Sequence, residues 1–199
     1  MGYAIKSDRL LGGAPAATTA NQPVANMDWT RASDACKHLG ADAGLPTEAQ
    51  WEYAARGGSQ DAYPFPSDLA ELCGYANGAG NERPEWAIRN KECSDPFKDA
   101  APVGRFPPNS LGLYDMHGNL WEWVLDAGGN GAYADRGPDP TAEPLSTGPE
   151  WKTRVLRGGS FGDTPLRLRS AIRNWRMQQL QYPIIGFRCV RGAGRQPNP

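Results

Sequence analysis

The 199-residue chain is short of several features, and each shortage excludes something. No apolar run reaches the length of a membrane-spanning helix. The start, Met1 to Lys6, lacks the apolar core of a secretory signal, and Lys6 stands where a myristoylation motif wants Ser or Thr. The cytoplasm is therefore the default location, with surface display through a partner as the alternative. Acids and bases nearly cancel, with a net charge of −1, so no global field recruits nucleic acid or an anionic membrane. The two histidines, His38 and His117, cannot build a three-histidine metal site by themselves. The four cysteines, Cys36, Cys73, Cys93 and Cys189, form no C-x-x-C pair, which removes zinc knuckles and thioredoxin-like sites. Two readings of them stay open: buried small hydrophobes, or a Cys73–Cys93 disulfide, since both flank one loop.

What is abundant points to an ordered, loop-rich domain. Gly (24) and Pro (18) together make about a fifth of the chain, while seven Trp and seven Tyr argue against disorder. Residues 1–24 read as an N-terminal arm or linker, 25–191 as one domain and 192–199 as a tail. A first helix is expected over Trp29–Leu39, with Asp28 as N-cap, Ala32, Ala35 and Cys36 inward, and Gly40 closing it. A second is expected over Glu48–Arg56. There Thr47 and Gln50 make a capping box, Trp51, Ala54 and Ala55 form the buried stripe, and Gly57-Gly58 stops the helix. Short strands are expected at Leu120–Leu125, Arg154–Leu156 and Ile185–Arg191, with a long surface loop from Asp126 to Pro149. Trp121 and Trp123 alternate along a strand and so share one face, toward the core. Early helices followed by short strands indicate an α+β domain.

Four blocks carry a resemblance. They are Leu45-Pro46-Thr47-Glu48-Ala49-Gln50-Trp51-Glu52-Tyr53-Ala54-Ala55-Arg56-Gly57-Gly58; Ala101-Pro102-Val103-Gly104 leading to Phe106-Pro107-Pro108-Asn109; Gly112-Leu113-Tyr114-Asp115-Met116-His117-Gly118-Asn119-Leu120-Trp121-Glu122-Trp123; and Arg157-Gly158-Gly159-Ser160-Phe161 with the later Arg169-Ser170-Ala171 and Gly186-Phe187-Arg188. In this order and spacing the chain resembles the formylglycine-generating-enzyme (sulfatase-modifying-factor) family. The resemblance implies a C-type-lectin-like fold, two helices on a small twisted antiparallel sheet with little other regular structure. It also implies two structural calcium ions. One would take the side chains of Asp115 and Glu122 with the carbonyls of Gly118 and Leu120; the other would take the side chains of Asn77 and Asp95 with the carbonyls of Gly78 and Phe97. Oxygen donors of this kind suit calcium. His117, inside the first set, reads as a surface or packing residue rather than a catalyst, because a general base needs a placed partner.

The family's catalytic members carry two cysteines shortly after Gly-Gly-Ser, where paired thiolates bind Cu(I). Here Phe161 to Arg169 contains no cysteine, so the copper chemistry does not carry over. Ser160 matches a family pocket residue, but a serine without a base is no nucleophile. Only 44 residues precede Leu45, fewer than in full-length family enzymes, and a partner chain is expected to complete that end. A non-enzymatic branch, the variable proteins of diversity-generating retroelements, varies the stretch between Gly-Gly-Ser and Gly-Phe-Arg to bind ligands. The corresponding surface here comprises Asp163, Arg167, Trp175, Arg176, Gln178, Gln179 and Tyr182. Its Trp, Arg and Tyr are residue types enriched at protein contacts. Three readings of function stand side by side: display of a surface for a protein or small-molecule ligand, a metal-dependent oxidoreductase of the same family, and a structural subunit of a larger assembly.

Overall fold

The structure is a computed structural model that describes residues 21–82, 88–129 and 152–192. The expected arm, tail and long surface loop lie largely outside these residues. Helix α1 runs Trp29–Lys37, strand β1 Ala43–Gly44, helix α2 Glu48–Arg56, β2 Trp121–Ala127, β3 Thr153–Arg157, β4 Arg173–Met177, β5 Ile185–Phe187 and β6 Val190–Arg191. Single 3-10 turns stand at Leu72–Gly74 and Pro165–Arg167.

Helix α2 forms where its caps dictate. The Thr47 side chain accepts from the Gln50 N–H, the Gln50 side chain accepts from the Thr47 N–H, and Gly57 closes the helix at φ 54°. Helix α1 starts as expected, the Asp28 carboxylate accepting from the Arg31 N–H at 2.9 Å. It stops two residues before the expected end. The Leu39 and Gly40 N–H groups turn to the carbonyls three residues back, Cys36 and Lys37, which tightens the chain out of the helix.

Four strands lie in the order β4-β3-β2-β5, and β1 pairs antiparallel with β6 in a separate ribbon. Pairs β2–β3 and β3–β4 are antiparallel, but β2–β5 is parallel, Trp121 standing opposite Ile185. The main sheet is therefore mixed, where an antiparallel one was expected. The predicted strand Ile185–Arg191 is cut in two because Arg188 leaves the ladder to reach Glu122 and Cys189 is bonded to Cys36. Asp126, expected to open a loop, is instead a fully buried strand residue that accepts the first N–H of α2, from Glu48, at 2.6 Å. Strand β4 gives only a brief periodic signal, Trp175 and Met177 alternating with Asn174 and Arg176 over four residues.

The sheet sits between the two helices. On the α1 face, Trp121, Trp123, Leu156 and Ile185 pack with Ala32, Cys36 and Cys189; on the other, Val124 and Val155 pack with Trp51, Ala55 and Met116 of the α2 side. Strand alternation produces both clusters, since Trp123 and Val124 are neighbours in sequence and belong to different ones. All four cysteines are bonded, Cys36 to Cys189 and Cys73 to Cys93. The second pairing was one of the two expected readings. The first ties α1 to residues 153 positions away, a closeness that only the fold creates. Thr47→Ala removes the hydroxyl half of the α2 cap and is expected to cost about 1 kcal/mol. Urea unfolding should show a lower midpoint with an unchanged slope.

Candidate functional site

A charged layer lies between α2 and the sheet. Glu48 and Glu52, one helical turn apart, face Arg157 of β3, whose guanidinium is fully buried. Arg157 pairs with Glu52, sits 3.4 Å from Glu48, donates to the Ile172 carbonyl and lies 5.2 Å above the Trp51 ring. Arg173, directly opposite Arg157 in the ladder, grips both oxygens of Glu48.

Beside this layer lie the two sets of oxygens expected to bind calcium. Glu122 accepts from the Trp51 indole N–H at 2.6 Å and from Arg188 at 2.5 and 2.6 Å. Arg188 also donates to the Tyr114 and Asp115 carbonyls. The Gly186-Phe187-Arg188 motif carries no sign of this role for Arg188. Asp115, at φ 54°, takes the Gly104 N–H on Oδ2 at 2.7 Å, while its Oδ1 is buried with no hydrogen-bond partner. Burial pushes the Asp115 carboxyl above its usual range, against the Gly104 N–H and the Arg188 charge. A cavity of about 70 Å³ opens between Asp115, Leu120, Glu122 and Arg188.

The second set is joined to the first. Asn77 is fully buried; its amide N–H donates to Asp99 O, and its Oδ1 has no hydrogen-bond partner. Asp95 is also buried, its carboxylate receiving the Gly78 and Phe97 N–H groups at 3.3 and 2.8 Å. A parallel bridge pairs Asn77 with Gly118, and the Asn119 N–H donates to Asn77 O at 2.9 Å. The approach is so close that a Cβ on Gly118, whose φ is 78°, would stand 2.0 Å from that oxygen. Each set thus leaves one buried side-chain oxygen without a donor, which fits a bound cation. Among the described residues no cluster of three His, Cys, Asp or Glu side chains is poised for a metal, so both sets need backbone carbonyls.

His117 is a packing residue. Its Nδ1 donates to the Leu168 carbonyl at 2.7 Å, and its ring stands edge-on to Phe65 and Tyr63. Burial lowers its pKa, leaving the ring neutral. It lines a second cavity, about 200 Å³, with Phe65, Tyr75, Pro107 and Pro108.

The expected ligand surface divides. Trp175 and Tyr182 are 38% and 45% exposed, and Arg167, Arg176 and Gln179 are exposed as well. Asp163 is only partly exposed. Its Oδ2 is turned inward, accepting from the Ser160 N–H at 3.0 Å, the Ser160 hydroxyl at 2.6 Å and the Trp121 indole N–H at 2.8 Å, while its Oδ1 pairs with Arg167 at 3.6 Å. Gln178 is half-buried, its side chain holding Arg154 and its backbone holding Trp29 and Lys152. Met177, 43% exposed on the same strand as Trp175, joins the surface.

Family membership now has two independent supports, the geometry above and the sequence as a whole. Residues 5–193 match the family described as the Sulfatase-modifying factor enzyme 1-like domain. The chain belongs to this family. The formylglycine-generating enzyme of Bos taurus is 35% identical over 175 residues, which cover 85% of this chain and 44% of that protein. The inactive C-alpha-formylglycine-generating enzyme 2 of Bos taurus is 32% identical over 185 residues, 88% of this chain and 52% of that protein. The chain spans about half the length of the curated relatives it matches. Among solved structures, PvdO from Pseudomonas aeruginosa superposes with a TM-score of 0.71 at 31% identity, over 86% of this chain and 62% of that one. Treponema denticola variable protein 1 superposes at 0.68 with 25% identity, over 89% and 74%. The fold is thus the family's α+β fold, shared by catalytic members and by a variable protein.

The raised carboxyl of Asp115 has a sign that can be measured. A carboxyl whose folded pKa exceeds its unfolded value costs stability once ionised, and the cost disappears as pH falls below the ordinary carboxyl range. In chelator, Asp115→Asn is expected to raise the thermal midpoint at pH 7, with the gain shrinking as pH is lowered from the raised pKa down to the ordinary carboxyl range. A lower midpoint at pH 7 contradicts this account.

Proposed function

We propose that this chain is a non-catalytic, ligand-binding member of the family, with calcium as a structural ion and a contact surface along β4 and the turn after it. The observation that carries the first part is the state of the cysteines. All four are locked in the two disulfides, so the chain offers no thiolate pair to Cu(I), which prefers soft sulfur ligands. The stretch after Gly-Gly-Ser supplies Asp163 instead, and its carboxylate is occupied with holding Ser160 and Trp121. The copper centre of the catalytic members does not fit these residues.

The contact surface rests on Trp175, Met177 and Tyr182, large side chains left exposed at and beyond an edge strand, with Arg176 among them. Arg, Trp and Tyr are the types that dominate binding energy at interfaces. The likeness to Treponema denticola variable protein 1 supports the same reading. The ligand is a protein or small molecule; the near-zero net charge argues against nucleic acid. Two disulfides favour maturation in an oxidising compartment over the cytoplasm.

For calcium, Asp115, Gly118, Leu120 and Glu122 would hold one ion and Asn77, Gly78, Asp95 and Phe97 the other. A hard divalent cation would satisfy the unpartnered oxygens of Asp115 and Asn77. Chelator should lower the thermal midpoint and calcium should restore it, because an ion that binds the folded state alone stabilises it by mass action. An identical midpoint in both conditions rejects the ions.

The decisive assay for the non-catalytic reading incubates copper-treated protein and oxygen with a Cys-x-Pro-x-Arg peptide and looks for aldehyde by mass spectrometry. No aldehyde is expected. Repeated turnover would restore the oxidoreductase reading that the likeness to PvdO keeps in view. In parallel, a library randomised at Arg167, Trp175, Arg176, Gln179 and Tyr182 should keep its thermal midpoint within a few degrees of the parent, as surface positions do. General collapse of that library counts against a display surface.

A further inference from the structure

The disulfide between Cys73 and Cys93 stands at the entrance of the second calcium set. Cys73 precedes Asn77 by four residues, and Cys93 precedes Asp95 by two. The two chain segments that bring Asn77 and Asp95 together are therefore clamped just before they deliver their ligands. Their other ties are hydrogen bonds: Gly78 N–H to the Asp95 carboxylate at 3.3 Å, Asn81 N–H to the Cys93 carbonyl at 2.9 Å, Asn90 N–H to the Ala79 carbonyl at 2.6 Å, the Asn77, Asn81 and Asn90 side-chain amides to the Asp99, Lys91 and Leu69 carbonyls at 3.0, 2.6 and 2.7 Å, and the Ser94 hydroxyl to Glu82 at 3.0 Å. Around the bridge itself, Cys73 N–H and the Asn90 amide both approach Cys93 Sγ, at 3.3 and 3.0 Å. Apolar contact across the bridge is limited to Cys93 itself, which packs against the cluster of Tyr63, Leu72, Ala76 and Leu168.

The other disulfide is placed differently. Cys36 and Cys189 are buried against Trp121 and Trp123 in the α1-side core. Asp115 and Glu122 of the first set lie outside any disulfide-closed short loop and are braced by the Gly104 N–H, Arg188 and Trp51. Cys73 is buried but Cys93 is partly exposed, so the loop bridge is the one that a reductant reaches from solvent.

We infer that the Cys73–Cys93 bridge is a redox gate on the second calcium set: the oxidised protein holds that ion, and reduction of the bridge releases it while leaving the first set loaded. This rests on the calcium reading given above. The step is a thiol–disulfide exchange with a dithiol reductant. A thiolate of the reductant attacks Cys93 Sγ, breaking the bridge and forming a mixed disulfide, with Cys73 leaving as thiolate. The reductant's second thiol then closes on the first, releasing Cys93. Two electrons pass to the protein, two protons end on Cys73 and Cys93, and the reductant leaves as its cyclic disulfide. Once the bridge is open, only hydrogen bonds and the ion hold the two segments together, and the lost loop closure appears as lost affinity. Linkage makes the effect reciprocal: calcium must make the bridge harder to reduce by the same factor.

The test is calcium titration calorimetry on the intact chain. The oxidised protein is expected to bind two ions, and Asp95→Asn to bind one. The double variant Cys73→Ser/Cys93→Ser should keep one ion at parental affinity and bind the other at least about tenfold more weakly. The Cys36→Ser/Cys189→Ser variant, provided it retains the parental circular dichroism, should bind both as the parent does. Two ions of parental affinity in the Cys73/Cys93 variant overturn the gate while the calcium reading stands. No calcium bound by the oxidised parent sinks the calcium reading itself, and the gate with it. Should the serine variant fail to fold, the unmodified protein is equilibrated in a dithiothreitol redox buffer with and without calcium. The fraction of Cys73–Cys93 reduced, read by thiol alkylation and mass spectrometry, should require at least about tenfold more reducing buffer when calcium is present. Equal fractions refute the proposal.

Discussion

Arg157 is the residue on which the arrangement of this domain depends. It is a full positive charge with no exposure to solvent, held between Glu48 and Glu52 of α2 on one side and a sheet ladder on the other. A buried guanidinium of this kind tolerates little displacement. Its desolvation is offset only while the carboxylates, the Ile172 carbonyl and the Trp51 ring remain in place. Removing one partner from such a group typically costs about 3–5 kcal/mol, a large part of a domain's stability. The same charge fixes register. Arg173 stands opposite Arg157 and shares Glu48, so sliding β4 by one residue would turn Arg173 to the other face of the sheet.

From that fixed point the candidate sites follow in sequence. Glu122 lies opposite Arg157 in the neighbouring strand and is held by the Trp51 indole, so the α2 interface and the Asp115–Glu122 set share walls. Gly118 carries the link onward, its N–H bonded to Gly158 and its backbone bridged to Asn77. The indoles extend the same logic across the sheet. Those of Trp29, Trp51, Trp121 and Trp123 each donate to a defined acceptor, respectively Val124 O, Glu122, Asp163 and Met27 O. Each ring contributes apolar area and an orientation at once.

How much of this was legible in the sequence depended on whether the cause was local. Helix α2 was legible to the residue because Thr47, Gln50 and Gly57 act within one turn of its ends. The inward Trp121 and Trp123 followed from strand alternation. Strand β4 was not legible, because it is short, lies at a sheet edge and turns its alternating Trp175 and Met177 outward rather than into a core. Nor was the inward turn of Asp163, since its partner Trp121 is 42 residues away and is brought there only by folding. The Cys36–Cys189 pairing failed for the same reason at a larger separation. Of the candidate site, the acidic residues could be named from their motif, but the arginine that shares their cavity could not, because nothing in Gly-Phe-Arg says where its side chain leads.

The strand order carries a constraint on how this domain can change. Strands β4 and β5 lie at opposite edges of the sheet and run in the same direction, yet only residues 178–184 connect them. The connection must cross three interstrand gaps and also travel back along the sheet, a path of roughly 20 Å. Eight peptide units from Met177 to Ile185 reach at most about 27–29 Å when fully drawn out. The segment is pinned on its way, at Trp29 by the Gln178 carbonyl and at Asn26 by the Tyr182 carbonyl. Part of the remaining length is taken up by two hydrogen-bonded turns, Leu180 N–H to the Met177 carbonyl and Ile185 N–H to the Tyr182 carbonyl. A lineage built on this scaffold is free to exchange the identities of the side chains along this connection, but losing three residues would leave about 17–18 Å of reach and pull β5 out of its pairing with β2.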